Sequence, residues 1–275
     1  MTRHTIGFIG GGNMAYALIG GLLTDGFSPQ NIYVTDPEQD KLATLAQQFR
    51  VNTGSDNNAA VANCDIVVLA VKPQVLAEVA RGIAQAVNAR KSLVVSIAAG
   101  VRVADLQRWL GEDAAIVRCM PNTPALVKTA ATALYANNRV ADSQLEAAES
   151  VLRAVGLAVW VDDENLLDAV TALSGSGPAY FFLFMEAMES AGRELGLDAD
   201  TARLLTQQTA LGAAKIAIES SESPEMLRRR VTSPGGTTEQ AVLTLEQGGL
   251  RNLVQNAMQA ALRRSVAMSD QFGAQ

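Results

Sequence analysis

Short runs of Val and Ile punctuate the first part of the chain. TIGFI (5–9), NIYVTD (31–36), DIVVLAV (65–71), SLVVSI (92–97) and AAIVRC (114–119) lack the polar alternation of a strand with one wet face. Runs of this kind read as strands covered on both sides, which is the condition of a parallel sheet between two helical layers. Helical patterns fill the gaps at about 13–25, 38–49, 74–87 and 103–110. This alternation predicts an α/β, doubly wound, mainly parallel sheet with helices on both faces. Two further apolar runs, TAATALYA (129–136) and LAVWV (157–161), flank a helical pattern at 142–155 and extend the same sheet.

After Val161 no strand pattern follows. Helical patterns occur at about 164–173, 178–195, 200–220, 225–231, 238–247 and 250–271, broken at Gly175–Pro178, Gly196, Pro224, Ser233–Thr238 and Gly248–Gly249. The 275 residues thus divide into an α/β domain over 1–162 and an all-helical domain over 163–275. Tyr180 to Met185 are consecutively apolar or aromatic, so the helix that carries them has no polar face and must be covered. A domain of this size has little interior for it. Another subunit would cover it; the alternative is a central helix in a self-contained bundle.

Directly after the first strand stands Gly10-Gly11-Gly12-Asn13-Met14-Ala15, of the form G-x-G-x-x-A. Gly10 permits a tight turn, Gly12 lets backbone approach a pyrophosphate, and Ala15 lets the helix pack close to the strand. The helix start adds unpaired N–H groups and a positive dipole end. Asp36, at the end of the second run, is placed for a ribose-binding carboxylate. The first domain is therefore expected to be a Rossmann domain that binds a dinucleotide. Asp36 would repel a 2′-phosphate, which leans toward NAD over NADP, although Lys41 and residues elsewhere could compensate. Other strand exits, Ala70-Val71-Lys72-Pro73, Ser96–Gly100 and Met120–Pro124, are small or rigid and leave room for a cofactor. Lys72 reads equally well as a solvated lysine.

Several chemistries are disfavoured. A net charge of −6 argues against a nucleic-acid partner. Two cysteines, Cys64 and Cys119, suit small buried side chains in a reducing compartment rather than a disulfide scaffold. The apolar amino end is interrupted by glycines and lacks a cleavage pattern, and no run is long enough for a membrane span. The one histidine, His4, precedes the first strand and makes a poor catalytic base, and no metal site is expected. Hydride delivery to an already electrophilic C=N bond suits such a chain better than alcohol oxidation, which needs a base.

Two loops of small residues enter helices in the second domain. Ser233-Pro234-Gly235-Gly236-Thr237-Thr238 can converge backbone N–H groups into a nest for a carboxylate. Arg228, Arg229 and Arg230 lie just before it, although charge runs are commonly solvated. Ser174-Gly175-Ser176-Gly177-Pro178 is of similar kind. A capped helix with a glycine turn is the plain alternative for each.

IGFIGGGNMA (6–15), AVKP (70–73), RCMPNTPA (118–125), SGSGPAY (174–180) and VTSPGGTT (231–238), in this order, resemble the pyrroline-5-carboxylate reductase family over essentially the whole chain. The resemblance implies reduction of 1-pyrroline-5-carboxylate to L-proline with NADH or NADPH. It also implies a helical domain that makes a homodimer by interleaving, and in some members a decamer. Carried over by position, Gly10, Gly11, Gly12, Asn13 and Met14, Asn57, and Ala70, Val71, Lys72 and Pro73 would bind cofactor beside Asp36. Ser233, Gly235, Gly236, Thr237 and Thr238 would bind substrate, with amides on its carboxylate and the Thr238 hydroxyl on the ring nitrogen as the catalytic contact. Ser174, Gly175, Ser176 and Gly177 would line the same pocket. A cytoplasmic enzyme is expected. Asp36 departs from many relatives and leaves cofactor preference open. A β-hydroxyacid dehydrogenase, with Lys215 as its base, and a non-catalytic NAD(P)H sensor are the rival readings; neither Glu222 nor Lys215 receives a role otherwise.

Overall fold

β1 (Ile6–Ile9) runs into the glycine turn and α1 (Asn13–Thr24), in the computed structural model, which describes residues 4–274. Then follow β2 (Ile32–Thr35), α2 (Gln39–Phe49), β3 (Asn52–Gly54), α3 (Asn57–Val61), β4 (Ile66–Leu69), α4 (Pro73–Arg90), β5 (Leu93–Ser96) and α5 (Val103–Leu110). β6 (Ile116–Met120), β7 (Ala130–Ala136), α6 (Asp142–Arg153) and β8 (Gly156–Trp160) complete the sheet. Its order is β3-β2-β1-β4-β5-β6-β7-β8. β1 to β6 are parallel; β7 pairs antiparallel with β6, and β8 runs parallel to β7.

Every residue of β1, β4 and β5 is buried, which is why these strands lack alternation. Their side chains feed two cores on opposite faces of the sheet. One holds Phe8, Leu18, Ile19, Val68, Leu134 and Leu152. The other holds Ile9, Leu69, Leu76, Ile83, Leu106, Trp109 and Phe272. The doubly wound fold expected from the sequence is present. Missing from that expectation are β3 and α3. β3 is three exposed residues at the sheet edge and carries no apolar signal; α3 has five residues and is capped by Asp56.

α7 (Leu166–Val170) passes into a π-turn at Thr171–Gly175, followed by α8 (Gly177–Glu194), α9 (Ala199–Glu219), α10 (Pro224–Arg230), α11 (Thr237–Gln247) and α12 (Leu250–Gly273). The strands end at Trp160, and contacts divide the chain elsewhere, into residues 1–176 with 261–275 and residues 177–260. The first unit retains α7 because Leu167 and Asp168 are buried. It takes in the end of α12 because Phe272 is buried, Ser265 donates to Asp168 at 2.5 Å, and Arg108 donates to the Gly273 carbonyl at 2.6 Å.

The second unit has scarcely any interior. In α8 only Gly177 is buried, in α9 only Ala202 and Thr206, and in α10 and α11 nothing. Phe181, Phe182 and Leu183 are each about two-thirds exposed. A self-contained bundle would bury such side chains, so this unit lacks the bundle core that was the alternative for this helix.

Candidate active site

The chain leaves β1 toward β2 on one side and returns as β4 on the other, so the strand order reverses between the parallel neighbours β1 and β4. Ligands of open α/β sheets bind at such a reversal, beyond the carboxyl ends of the strands. The glycine turn sits there. Gly10 N–H donates to the Thr35 carbonyl at 2.7 Å, and Ala70 N–H donates to the Ile9 carbonyl at 2.8 Å. Gly10 has φ 103°, and a Cβ there would lie 2.7 Å from the Ala70 carbonyl oxygen. Gly10–Gly12 and Ala70–Pro73 are thus held side by side. At Gly12, by contrast, a Cβ would meet nothing within 4 Å. Gly12 is the N-cap of α1 and no side chain caps it, so the first-turn N–H groups at Asn13 and Met14 remain open to an anion. This cradle fits the pyrophosphate of a dinucleotide.

Asp36 is buried just past β2. Its Oδ2 accepts from Gly11 N–H at 2.8 Å and its Oδ1 from Glu38 N–H at 2.9 Å, with Lys41 Nζ 4.0 Å away. The carboxylate therefore braces the glycine turn, and its remaining lone pairs are what it has for a ribose. Asn57 opens α3 three residues beyond β3 and lines a shallow cleft with Asp56 and Glu78. Lys72 is the exposed N-cap of α4, and Pro73 is that helix's first residue.

Ser174 and Gly175 end the π-turn and Ser176 follows, all in the unit of the glycine turn. Asn122 Nδ2 donates to the Ser174 carbonyl at 2.9 Å. Gly177 is the first residue of the second unit, which also carries Ser233–Thr238. There Gly235 N–H donates to the Glu239 carboxylate at 2.7 Å, and Gly236 N–H to the Ser233 carbonyl at 3.0 Å. The loop thus already holds one carboxylate on a backbone amide. Thr237 and Thr238 open α11, whose N-cap Gly236 offers no side-chain cap, so their N–H groups face outward as an anion site would need.

The arginine run adds little field. Arg229 pairs with Glu225 at 2.8 Å and Arg230 with Glu222 at 2.7 Å. Lys215 is exposed and lies 3.8 Å from Glu219, one turn on along α9. His4 lies 4.0 Å from Asp65, at the amino end of the sheet. Burial pushes the Cys64 thiol up to about 12, and raises Cys119 as well. Among the described residues no group of three metal-ligating side chains occurs, and no helix is long and apolar enough to cross a membrane.

Buried polar residues without an individual role in the sequence pattern are paired across the fold. Buried Arg118, on β6, pairs with Glu164 at 2.8 Å, and Glu164 also accepts from Val103 N–H at 2.8 Å. Asn122, Asp168 and Ser265 likewise each carry a polar atom whose partner is distant in sequence.

Comparison with known proteins places this geometry. Residues 164–268 match the family model described as pyrroline-5-carboxylate reductase dimerisation. Residues 5–100 match that described as NADP oxidoreductase, coenzyme F420-dependent. The chain is 50% identical to pyrroline-5-carboxylate reductase of Pseudomonas aeruginosa, over 99% of this chain and 100% of that protein. It superposes on a pyrroline-5-carboxylate reductase structure from Coxiella burnetii with TM-score 0.94 and 47% identity, covering 98% and 99% of the two chains. On the Plasmodium falciparum pyrroline carboxylate reductase, solved with NADP bound, the TM-score is 0.87 at 30% identity, covering 98% and 99%.

Proposed function

The chain belongs to the pyrroline-5-carboxylate reductase family, and we propose that it reduces 1-pyrroline-5-carboxylate to L-proline at the expense of NADH or NADPH. The observation that carries this reading is the pairing of two donor sets in one chain. One is the glycine turn with its open first-turn amides. The other is the Ser233–Thr238 loop, where the uncapped start of α11 leaves the Thr237 and Thr238 N–H groups open.

The cofactor supplies the hydride that reduces the C=N bond. Gly10 to Met14 hold its pyrophosphate, Asp36 fixes the turn and accepts from its ribose, and Asn57 and Ala70 to Pro73 flank it. The amides and hydroxyls of Ser233, Gly235, Gly236 and Thr237 bind the substrate carboxylate, which takes the place of the Glu239 carboxylate at the Gly235 amide, and Ser174, Gly175, Ser176 and Gly177 complete the pocket. Thr238 places its hydroxyl at the ring nitrogen. The substrate is an iminium, electrophilic before it binds, so the residues need only orient it and stabilise charge with fixed donors. The absence of a histidine base is consistent with this economy. Residues 1–162 thus serve the nucleotide, and residues 163–275 serve substrate and assembly.

Exposed Phe181 to Phe184 and the match over 164–268 support a homodimer through the helical unit. Five such dimers would make the decamer. The buried, unpaired thiols suit a cytoplasmic setting, and the acidic balance suits neither nucleic acid nor a membrane surface. The test is direct: mix protein, NADH or NADPH, and 1-pyrroline-5-carboxylate, and follow absorbance at 340 nm. Cofactor binding without consumption would make the protein a sensor, and turnover with a β-hydroxyacid alone would make it a dehydrogenase.

A further inference from the structure

Between α7 and α8 the chain carries a feature that a helix cannot satisfy alone. The carbonyl of Ser174 would take its helical hydrogen bond from residue 178, four positions on, but that residue is Pro178 and has no N–H. Ser176 N–H instead reaches back five residues to the Thr171 carbonyl at 2.8 Å, and the helix widens into the π-turn. The donor that Pro178 withholds from Ser174 comes from another part of the fold, the Nδ2 of Asn122 at 2.9 Å.

Asn122 is built for this. It lies just past β6, it is buried, and its other amide atom is also engaged: Oδ1 accepts from Ala131 N–H at 2.9 Å, at the start of β7. Both ends of one rigid side chain are thus fixed, one to the sheet and one to the turn. Met120, two residues earlier, closes on the same place, because a Cβ on Gly175 would fall 2.5 Å from its Cε. The carboxyl end of β6 therefore holds two successive residues of the turn, one by a hydrogen bond and one by contact.

We propose that Asn122 is a positioning residue for the substrate turn Ser174–Gly177. It gives the Ser174 carbonyl the donor that Pro178 lacks, and so fixes the bend at which the turn enters α8. This rests on the reading above that the turn lines the substrate pocket. Asn122 touches neither substrate nor the glycine turn in this account; it acts through Ser174.

The experiment compares Asn122→Asp and Asn122→Ala with the unaltered protein. Asn122→Asp keeps the acceptor for Ala131 and sets a carboxylate oxygen against the Ser174 carbonyl. Three quantities are read: KM for 1-pyrroline-5-carboxylate, the dissociation constant for NADH and NADPH by nicotinamide fluorescence, and the thermal midpoint. The expected result is a rise in the imino-acid KM of about tenfold or more, the range of an orphaned buried carbonyl. Cofactor affinity should stay within about twofold in the same variants. The double variant N122A/P178A returns an N–H to position 178. It should recover the thermal midpoint lost in Asn122→Ala without recovering KM. The inference is overturned by unchanged KM in both single variants, by cofactor affinity weakening in step with KM, or by KM recovering with the midpoint. No turnover by the unaltered protein sinks the functional reading, and this inference with it. Turnover with KM unmoved sinks the inference alone.

Discussion

The N–H of Gly11 donates to Asp36 Oδ2 over 2.8 Å, so the carboxylate just past β2 is a brace for the glycine turn, and in the proposed function it is also the charge nearest the ribose. The two roles separate in Asp36→Asn. The amide keeps the shape and one acceptor and removes the charge. Loss of the brace weakens NADH and NADPH alike. Loss of the charge helps only the cofactor with a 2′-phosphate, by on the order of a hundredfold for two unit charges about 6 Å apart near a protein surface. The unaltered protein should favour NADH, and the ratio of kcat/KM for NADPH over NADH should rise by about that factor in Asp36→Asn. A ratio that stays put means the charge does not select the cofactor.

Gly10 and Gly12 are both motif glycines, but they answer to different demands. Gly10 has positive φ and no room beside the Ala70 carbonyl. Gly10→Ala should lower the thermal midpoint by several degrees, consistent with roughly 1–3 kcal/mol of backbone strain and overlap. Gly12 has ordinary φ, −75°, and open space where its Cβ would go. Gly12→Ala should fold with an unchanged midpoint and lose cofactor affinity, because its methyl group would occupy the approach of the pyrophosphate. Calorimetry with and without NADH distinguishes the two. If Gly12→Ala binds NADH normally, the pyrophosphate is not held at this turn.

Thr238 is exposed in the first turn of α11, so its side chain holds up nothing in the fold. Thr238→Ala should therefore leave the midpoint unchanged and cost about 1–3 kcal/mol in kcat/KM for the imino acid, the loss of a donor to a charged group. Thr238→Ser keeps the hydroxyl and should keep most of the activity. Full activity in Thr238→Ala removes the hydroxyl from the mechanism.

Asp65 links β1 to the end of α4. Burial works against its charge, yet the N–H and hydroxyl of Thr5 and the guanidinium of Arg90 outweigh that and hold the carboxyl below its ordinary value. A depressed carboxyl contributes stability that is present above its unfolded value of about 3.9 and is lost as pH falls through the folded one. Asp65→Asn should therefore be less stable than the unaltered protein at pH 7. The gap should close as pH falls through the acid range. Urea midpoints at a series of pH values give the comparison, and a gap independent of pH would show that the ionised carboxylate is not what stabilises.

Local pattern carried most of the fold because β1, β4 and β5 are buried on both faces and say so in runs without polar alternation. β3 was illegible for the opposite reason: Asn52, Thr53 and Gly54 are exposed, and tertiary pairing with β2 alone makes them a strand. The glycine turn could be read because its function demands residues that almost nothing else does. Asn122 could not, since an asparagine after a strand is ordinary until Ser174, 52 positions later, is known to lie beside it. The arginines before Ser233 differ from this, since Glu225 and Glu222, which pair with Arg229 and Arg230, stand only four and eight positions before them, and the run is solvated and paired as charge runs commonly are.

The helical unit makes the last prediction. Phe181, Phe182, Leu183 and Phe184 sit on consecutive positions of α8 and are all substantially exposed, as are Leu204, Leu205 and Leu211 on α9. Monomeric proteins rarely leave so large an apolar surface in water. Where a fold is completed only by its partner, stability follows protein concentration. The thermal midpoint should thus rise with concentration, and sedimentation should give a dimer or a multiple of one. Replacing Phe182 and Leu211 together with Asp should abolish the assembly, because each charge would be buried without a partner. The glycine turn belongs to the other unit, so NADH affinity per chain should survive in whatever stays soluble. A stable, monomeric unaltered protein with a concentration-independent midpoint would mean that these side chains are covered in some other way.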